Sequence, residues 1–364
     1  MLPYATCVGC GNCELNCLND CIVMRPDNHG FFYPEKDEVR CTGCGRCEQV
    51  CPALRSHETI QDEMPPAYAA YIKDEEIRLN SSSGGIFSAL AMHILRQGGI
   101  VCGATLDSSL TVKHDLTDRV ETLGKFRGSK YVQSNLGESF AVIQAYLEMG
   151  RSVLFSGTPC QVAALHAFLK KDYTELTTVD FICHGVPSPK VWETYLRWQN
   201  SVHDANAITA SFRDKKIGWK QFSMTLTFDD GQEYSVPFHQ DVFARAFLKN
   251  LFLRDACYNC EYKSKKRYST LTLGDFWGCE NILPDLNYHS GLSLVISQSN
   301  KGSQLLDSIA NICEIIAIDG EEAVKYNKTM VNSCPRHPAE NFFWEHLDNM
   351  EFGHLVNYCL YMRN

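Results

Sequence analysis

Two runs of four cysteines near the amino terminus constrain this chain more than any other sequence feature. The first run has the spacing Cys7-x2-Cys10-x2-Cys13-x3-Cys17, and the second repeats it as Cys41-x2-Cys44-x2-Cys47-x3-Cys51. The runs are therefore an internal repeat with a period of 34 residues. They hold eight of the 18 cysteines within the first 51 of 364 residues, a density that ordinary core packing does not require.

The spacing of each run suits an iron–sulfur cubane. Three thiolates at intervals of three residues can bind three iron corners of one cluster, and the fourth thiolate, four residues on, reaches the other cluster. We therefore predict two [4Fe–4S] clusters, one held by Cys7, Cys10, Cys13 and Cys51, the other by Cys41, Cys44, Cys47 and Cys17. Zinc is the alternative, although zinc sites usually combine two separated Cys-x2-Cys pairs.

The first 57 residues resemble the bacterial two-cluster ferredoxin module. Short apolar segments at 22–24 and 30–34 lie between the two runs and predict two strands around a turn. One departure from the module is that Leu18, rather than proline, follows Cys17. A further cysteine, Cys21, is expected to be a packed thiol because both clusters already have four ligands.

Composition and charge narrow the class of protein. The hydrophobic fraction of 45% excludes global disorder, and the net charge of −9 argues against a broad nucleic-acid or anionic-membrane surface. The strongly apolar stretch 87–95 is too short to span a bilayer, and residues 1–7 lack the regions of a signal peptide. We expect a cytoplasmic protein without a membrane span, where many cysteines indicate metal or redox chemistry.

The rest of the chain predicts a larger mixed α/β domain. A polar linker over 58–66 ends in two prolines, and the domain then runs over 67–364. An α/β part is expected over 67–200, with strands at 67–72, 100–106, 152–155 and 177–182 and helices at 84–96, 136–148, 159–169 and 188–199. A β-rich and then helical part over 201–364 has strands predicted at 208–213, 222–228, 233–236, 270–273 and 292–297.

Two polar segments precede helices in the α/β part. Ser81-Ser82-Ser83-Gly84-Gly85 stands at a helix start, where free N–H groups and the helix dipole favour an anion. A simple serine N-cap accounts for the same residues. Gly128-Ser129-Lys130-Tyr131-Val132-Gln133-Ser134 offers a cation, an aromatic ring and several hydrogen-bonding groups, with a solvated loop as the alternative.

Four further cysteines stand in loops or at helix starts. Cys160, in Ser156-Gly157-Thr158-Pro159-Cys160-Gln161, and Cys183, beside His184, each follow a predicted strand at the edge of the sheet where ligands bind. Cys257-x2-Cys260 adds a pair. Four thiols suffice for a third [4Fe–4S] cluster, while a zinc site and packed thiols are alternatives.

The order of these motifs resembles one family, the coenzyme F420 hydrogenase/dehydrogenase beta subunits, in the form with an amino-terminal two-cluster ferredoxin domain. The resemblance is carried by Ser82-Ser83-Gly84-Gly85, Gly128-Ser129-Lys130-Tyr131, Gly157-Thr158-Pro159-Cys160, Cys183-His184-Gly185-Val186-Pro187, the Cys257/Cys260 pair and Gly274-Asp275-Phe276-Trp277-Gly278. With the cysteine runs, these motifs extend from Cys7 to about residue 291.

The resemblance implies a bound FAD and a third cluster. Its FAD contacts would be Ser82, Ser83, Gly84, Gly85, Gly128, Ser129, Lys130, Tyr131, Gln133, Ser134, Thr158 and Asp275, although Asp275 could equally cap a turn. Its third-cluster ligands would be Cys160, Cys183, Cys257 and Cys260. The substrate is not fixed, and whether it is F420 stays open.

The sequence thus predicts an iron–sulfur flavoprotein oxidoreductase. Electrons would pass between a redox protein, the clusters, FAD and a small-molecule substrate on the flavin. His184 is a weak candidate for a proton donor, with a structural role as the alternative. Lys130, the other weak catalytic candidate, could neutralise the FAD pyrophosphate or polarise the flavin ring. One alternative is an electron-transfer subunit with no substrate of its own, and another is a non-redox binding protein with zinc in its cysteine sites.

Overall fold

The structure is a computed structural model that describes residues 4–55 and 63–361. The predicted linker over 58–66 lies mostly outside the described residues, and its last four residues, 63–66, have no regular secondary structure. The described residues form a mixed α/β architecture with three sheets, which confirms the predicted fold class.

Thirteen strands form a two-stranded, a three-stranded and an eight-stranded sheet in the described residues. The strands are β1 Ile22–Pro26, β2 Phe32–Lys36, β3 Ala67–Ile72, β4 Ile100–Leu106, β5 Val112–Thr117, β6 Val153–Ser156, β7 Leu176–Phe181, β8 Ala207–Asp214, β9 Ser223–Phe228, β10 Glu233–Pro237, β11 Leu271–Asp275, β12 Ser293–Ser297 and β13 Cys313–Ile318. The eight-stranded sheet has the order β13-β3-β12-β11-β7-β6-β4-β5, so it takes strands from both sides of residue 200.

The helices are mostly short and cover both faces of the large sheet. They are α1 Asn12–Leu15, α2 Arg46–Gln49, α3 Glu75–Leu79, α4 Ile86–Arg96, α5 Ser139–Glu148, α6 Pro159–Leu169, α7 Pro189–His203, α8 Val242–Leu248, α9 Asp255–Tyr258, α10 Cys279–Ile282, α11 Asn300–Ile309, α12 Gly320–Lys325, α13 Glu340–His346 and α14 Phe352–Tyr361. Four 3-10 helices lie at Pro52–Leu54, Val120–Phe126, Trp219–Gln221 and Lys328–Met330.

The central strands form where the sequence predicts them. Strands β3 and β4 and helix α6 have the predicted bounds, because each combines an apolar run with a clear start or stop signal. For α6 the start signal is Pro159 at the first turn and a capping box between Thr158 and Gln161. Strands β5 and β13 are not predicted by the sequence, and both lie at the edges of the large sheet. Strand β13 falls within the carboxyl-terminal part that is expected to be helical, so that expectation is wrong there.

The amino-terminal unit packs directly on the large sheet domain. The fully buried Asn12 donates through Nδ2 to the carbonyl of Ala164 on α6 at 2.8 Å and to that of Val50 at 3.0 Å. Val8 and Cys10 join the apolar core beneath β6 and α6. These contacts fix the first cysteine run against the larger domain.

We predict that Asp241→Ala lowers the stability of the large domain by about 2 to 4 kcal/mol. Asp241 is fully buried and caps α8 by accepting from the N–H of Ala244 at 2.8 Å. It also accepts from the hydroxyls of Tyr195 at 2.7 Å and Tyr234 at 2.9 Å, and the substitution removes this acceptor from both hydroxyls.

Thermal unfolding measures this effect, and Asp319→Ala is the matched control. Asp319 caps α12 in the same way, but it is exposed and accepts only from backbone N–H groups. We expect a loss of about 1 kcal/mol at this exposed cap. Equal losses in the two variants would show that the buried tyrosine hydroxyls contribute nothing.

Candidate functional site

A large cavity lies where the parallel strands of the eight-stranded sheet end. Strands β4, β6, β7 and β11 pair in parallel, so their carboxyl ends share one edge. The cavity there has a volume of about 650 Å³. It is lined by residues that follow β6, β7 and β11, among them Thr158, Cys183 and Asp275.

The cavity brings together most of the residues that the family resemblance nominated for FAD. These lining residues are Ser82, Ser83, Gly85, Gly128, Ser129, Lys130, Tyr131, Gln133, Ser134, Thr158 and Asp275. The two polar segments of the sequence meet directly, since the hydroxyls of Ser82 and Ser129 are 2.9 Å apart. Gln161 links the second segment to α6, because its Nε2 donates to the hydroxyl of Ser134 at 2.9 Å.

The start of α4 differs from a serine-capped helix. Its N-cap is Gly85 with φ 83°, and no side chain accepts from its first-turn N–H groups in the described structure. Gly84 is packed so tightly that an added Cβ would overlap the carbonyl of Ala70 and come within 2.8 Å of the amide nitrogen of Ser293. The serine N-cap alternative is therefore wrong, and the uncapped N–H groups lie at the cavity.

Two basic residues beside the cavity escaped the sequence prediction. Lys215 is 5% exposed, and its Nζ donates to the carbonyls of Arg78 at 2.6 Å, Ser83 at 2.9 Å and Ser290 at 2.6 Å. Burial, aided by the nearby Arg213, lowers the pKa of Lys215 to about 7. Lys215 therefore holds the serine-rich segment in place through the carbonyl of Ser83. The sequence gives no sign of this role, because Lys215 is a single basic residue after a strand and belongs to no motif.

Asp275 lines the cavity but is already engaged. Its carboxylate forms an ion pair with Nη1 of Arg213 and accepts from Nε1 of Trp219 at 2.9 Å. Arg213 is buried and also lines the cavity, yet its Nε has no hydrogen-bond partner among the described residues. This guanidinium is thus a second cation at the cavity wall.

Lys130 and His114 complete the polar lining. Burial lowers the pKa of Lys130 to about 7, and its Nζ donates to the carbonyls of Lys125 at 3.0 Å and Arg127 at 2.9 Å. His114 is buried, and its Nε2 lies 3.1 Å from the carbonyl of Ser156. Because that carbonyl requires a donor, Nδ1 is left as an acceptor without a partner among the described residues.

The first set of predicted ligands, Cys7, Cys10, Cys13 and Cys51, surrounds one small cavity of its own and is called the inner group. Cys10 and Cys13 are buried, and burial raises the pKa of the Cys13 thiol to about 12. The neighbouring thiols of Cys7 and Cys51 contribute to this rise in pKa. Four thiols that line one small cavity can act as the four ligands of one cluster.

The second set of predicted ligands, Cys17, Cys41, Cys44 and Cys47, is called the outer group. Cys44 is exposed and the other three are partly buried. Gly9 and Gly43, at equivalent places in the repeat, both have φ 69°, and the N–H of Gly43 donates to the sulfur of Cys41 at 3.4 Å. Cys21 is buried as predicted, but its sulfur lies 3.2 Å from that of Cys17.

A third set, Cys160, Cys183, Cys257 and Cys260, gathers beside the large cavity and is called the third group. Burial raises the pKa of Cys160 to about 12, and the thiols of Cys260 and Cys183 lie near enough to act on it. Burial also raises the pKa of Cys257, and the thiols of Cys183, Cys160 and Cys260 contribute to that rise. Residues about a hundred positions apart in sequence thus meet at one place.

His184 does not face the third group as a free base. Its Nε2 lies 2.7 Å from Oδ1 of Asn250, and burial lowers its pKa. Its carbonyl accepts from the sulfur of Cys334 at 3.1 Å. In residues 4–55 and 63–361, no three Cys, His, Asp or Glu side chains are arranged around a single metal ion.

Paired cysteine runs on a ferredoxin-type unit, joined to an α/β domain with a large cavity, define an iron–sulfur redox protein. Comparison with family models gives the particular family. The coenzyme F420 hydrogenase/dehydrogenase beta subunit matches by its N-terminal model at 67–140 and by its C-terminal model at 150–321, and a 4Fe-4S dicluster domain matches at 6–54. The chain belongs to this family, and it is an iron–sulfur protein of the electron-transferring, hydrogenase/dehydrogenase beta-subunit type.

Solved structures share the fold. Thirteen of their chains match, among them one from the F420-reducing [NiFe] hydrogenase complex of Methanosarcina barkeri, solved after xenon derivatisation. That alignment covers 78% of this chain and 99% of the other, with 18% identity and a TM-score of 0.50. The curated protein sequences contain no match. No helix in the described ranges has the length and apolar content needed to cross a bilayer.

We predict that Lys215→Met loosens the serine-rich segment at the cavity. The substitution removes the donor to three carbonyls, including that of Ser83, and should cost about 2 kcal/mol or more. Hydrogen exchange of the amides in 81–85 should become faster. The control is Lys216→Met, because Lys216 is exposed and pairs only with acidic side chains at the surface. Similar exchange rates in both variants would contradict this role of Lys215.

Proposed function

We propose that the chain is an iron–sulfur flavoprotein oxidoreductase with three [4Fe–4S] clusters and one FAD. The observation that carries the proposal is the position of the third group, whose Cys160 and Cys183 line the same cavity as the polar segments nominated for FAD. An electron that reached this group would already be at the wall of the cavity.

The cavity residues fit a flavin dinucleotide. A volume of about 650 Å³ lies within the usual range of cofactor sites. The uncapped start of α4 and the cations Lys130 and Arg213 suit the negative charge of a pyrophosphate. The unpartnered Nδ1 of His114 and the hydroxyls of Ser82 and Ser129 offer hydrogen bonds to the polar edge of a ring or a ribityl chain.

Bound FAD would supply the conversion between one-electron transfer from clusters and two-electron chemistry on a substrate. The protein's own contribution is to fix the cavity wall. Lys215 holds the serine-rich segment, and the Thr158–Gln161 capping box holds the start of α6. Lys130 can carry or lose a proton near neutral pH because burial lowers its pKa to about 7.

The three thiol groups suit a route from the surface to the cavity. The outer group includes the exposed Cys44 and is the natural place for a redox partner protein to exchange electrons. The inner group is more buried and packs on the large domain. The inner and third groups are linked through Arg254, whose Nε donates to the carbonyl of Cys7 at 2.7 Å and whose carbonyl accepts from the N–H of Cys257 at 2.8 Å.

A small molecule that exchanges two electrons with a flavin is the expected substrate class, and F420 is one candidate by family membership. The alternative is an electron-transfer subunit without a substrate of its own. Turnover of a small acceptor by the isolated chain distinguishes the two.

We predict about 12 iron atoms and one FAD per chain after anaerobic purification, from four irons per cubane. Cys160→Ala should lower the count to about eight irons while the other two clusters remain. The matched control is Cys313→Ala, because Cys313 is a buried thiol on β13 whose apolar cluster contains none of the twelve candidate ligands. Eight irons in the unaltered protein would refute the third cluster, and a colourless protein that contains zinc would refute all three clusters.

We predict that Gly84→Ala weakens FAD binding by about tenfold or more, equivalent to about 1.4 kcal/mol. The added methyl group would overlap the carbonyl of Ala70 and push the serine-rich segment away from its place at the cavity. Gly124→Ala is the control, because nothing lies within 4 Å of a Cβ at that position. Flavin fluorescence during titration measures both affinities, and equal affinities would show that this segment does not hold the flavin.

A further inference from the structure

Arg254 is a buried cation at the contact between the amino-terminal unit and the large domain. Only 2% of the surface of this residue is exposed. Its Nε donates to the carbonyl of Cys7 at 2.7 Å, and its Nη2 donates to the carbonyl of Phe32 at 2.9 Å. Its Nη1 donates to Oε1 of Gln133, a cavity-lining residue, at 3.2 Å.

The main chain of Arg254 is fixed to the third group. Its carbonyl accepts from the N–H of Cys257 at 2.8 Å, and its N–H donates to the carbonyl of Val186 at 3.0 Å. Its guanidinium also lies 4.1 Å from the ring centre of Tyr33. One residue therefore bonds to the backbone of a ligand in the inner group and of a ligand in the third group.

The charge of this guanidinium lacks an acidic partner. No carboxylate in residues 4–55 and 63–361 lies within ion-pair distance of Arg254, and the adjacent Asp255 pairs with Arg336 at 3.0 Å instead. A buried charge is costly unless an opposite charge offsets it. Cysteines of two groups lie near Arg254 instead, since it holds the Cys7 loop and lies within electrostatic range of Cys160, and these cysteines would be negatively charged thiolates once they bound a cluster.

We propose that Arg254 is the shared counter-charge of the inner and third clusters and keeps the reduction potentials of both high enough for electrons to pass between them. Adding an electron makes a cluster more negative, and a nearby cation in a region of low dielectric favours that state. The outer group has no contact with Arg254 in the described ranges, so its cluster should not respond. Only the part about the third cluster rests on the proposed function.

The test is a reductive titration of the full chain, followed by electron paramagnetic resonance, for Arg254→Gln and Arg254→Lys. Arg254→Gln keeps a hydrogen-bond donor but loses the charge, so the inner and third clusters should shift to more negative potentials. The outer cluster is an internal control and should stay at its original potential. Arg254→Lys retains the charge and should remain close to the unaltered protein.

A second variant covers the case in which Arg254→Gln does not fold. Gln133→Glu leaves Arg254 in place and puts a carboxylate at its Nη1, so it should give the same negative shift. Unchanged inner-cluster potentials, or equal shifts of all clusters, would overturn the proposal. An iron count of about eight would instead refute the third cluster, and the inner-cluster shift would still decide the role of Arg254.

Discussion

Strands β4, β6, β7 and β11 pair in parallel, and this pairing directs their carboxyl ends to one edge of the sheet. The segments after β6, β7 and β11 are far apart in sequence, yet they line one cavity. Parallel strands need covered faces and long crossovers, which α4, α5 and α6 provide here. The cavity therefore depends on this parallel pairing, and so do the positions of Cys160 and Cys183 in the third group.

The amino-terminal unit depends on a different constraint. It has little apolar core, and its thiols are brought together by two copies of one backbone turn with left-handed glycines. Binding of clusters to such thiols couples directly to folding, because the unfolded chain has no preformed site and the binding free energy therefore favours the folded state. Asn12 and Arg254 then tie this unit to the large domain, so that the more buried of its two thiol groups faces the cavity side.

Much of this arrangement could be predicted from local sequence. The cysteine spacing predicts the membership of the inner and outer groups, and the apolar runs of β3, β4 and α6 predict the bounds that the structure has. Strand β5 could not be found in that way, because Val112–Thr117 buries only part of its side chains and contains charged residues. Strand β13 has an apolar sequence, but it lies in the carboxyl-terminal part whose periodicity predicts helices.

Residues that act through long-range contacts were equally hidden. Lys215, Arg213 and Arg254 are single basic residues without a motif, and their importance arises from carbonyls and carboxylates far away in sequence. For Asp275 the sequence shows the motif, but it does not show that the carboxylate pairs with Arg213. Burial of a cation and its choice of partner follow from tertiary structure, which local patterns do not contain.

The most direct test of a cluster route to the cavity is anomalous X-ray diffraction at the iron edge from anaerobically grown crystals. The account predicts three separate iron peaks, at the outer, inner and third groups, with the inner and third peaks as neighbours. Two peaks confined to the amino-terminal unit, with none between Cys160, Cys183, Cys257 and Cys260, would contradict it.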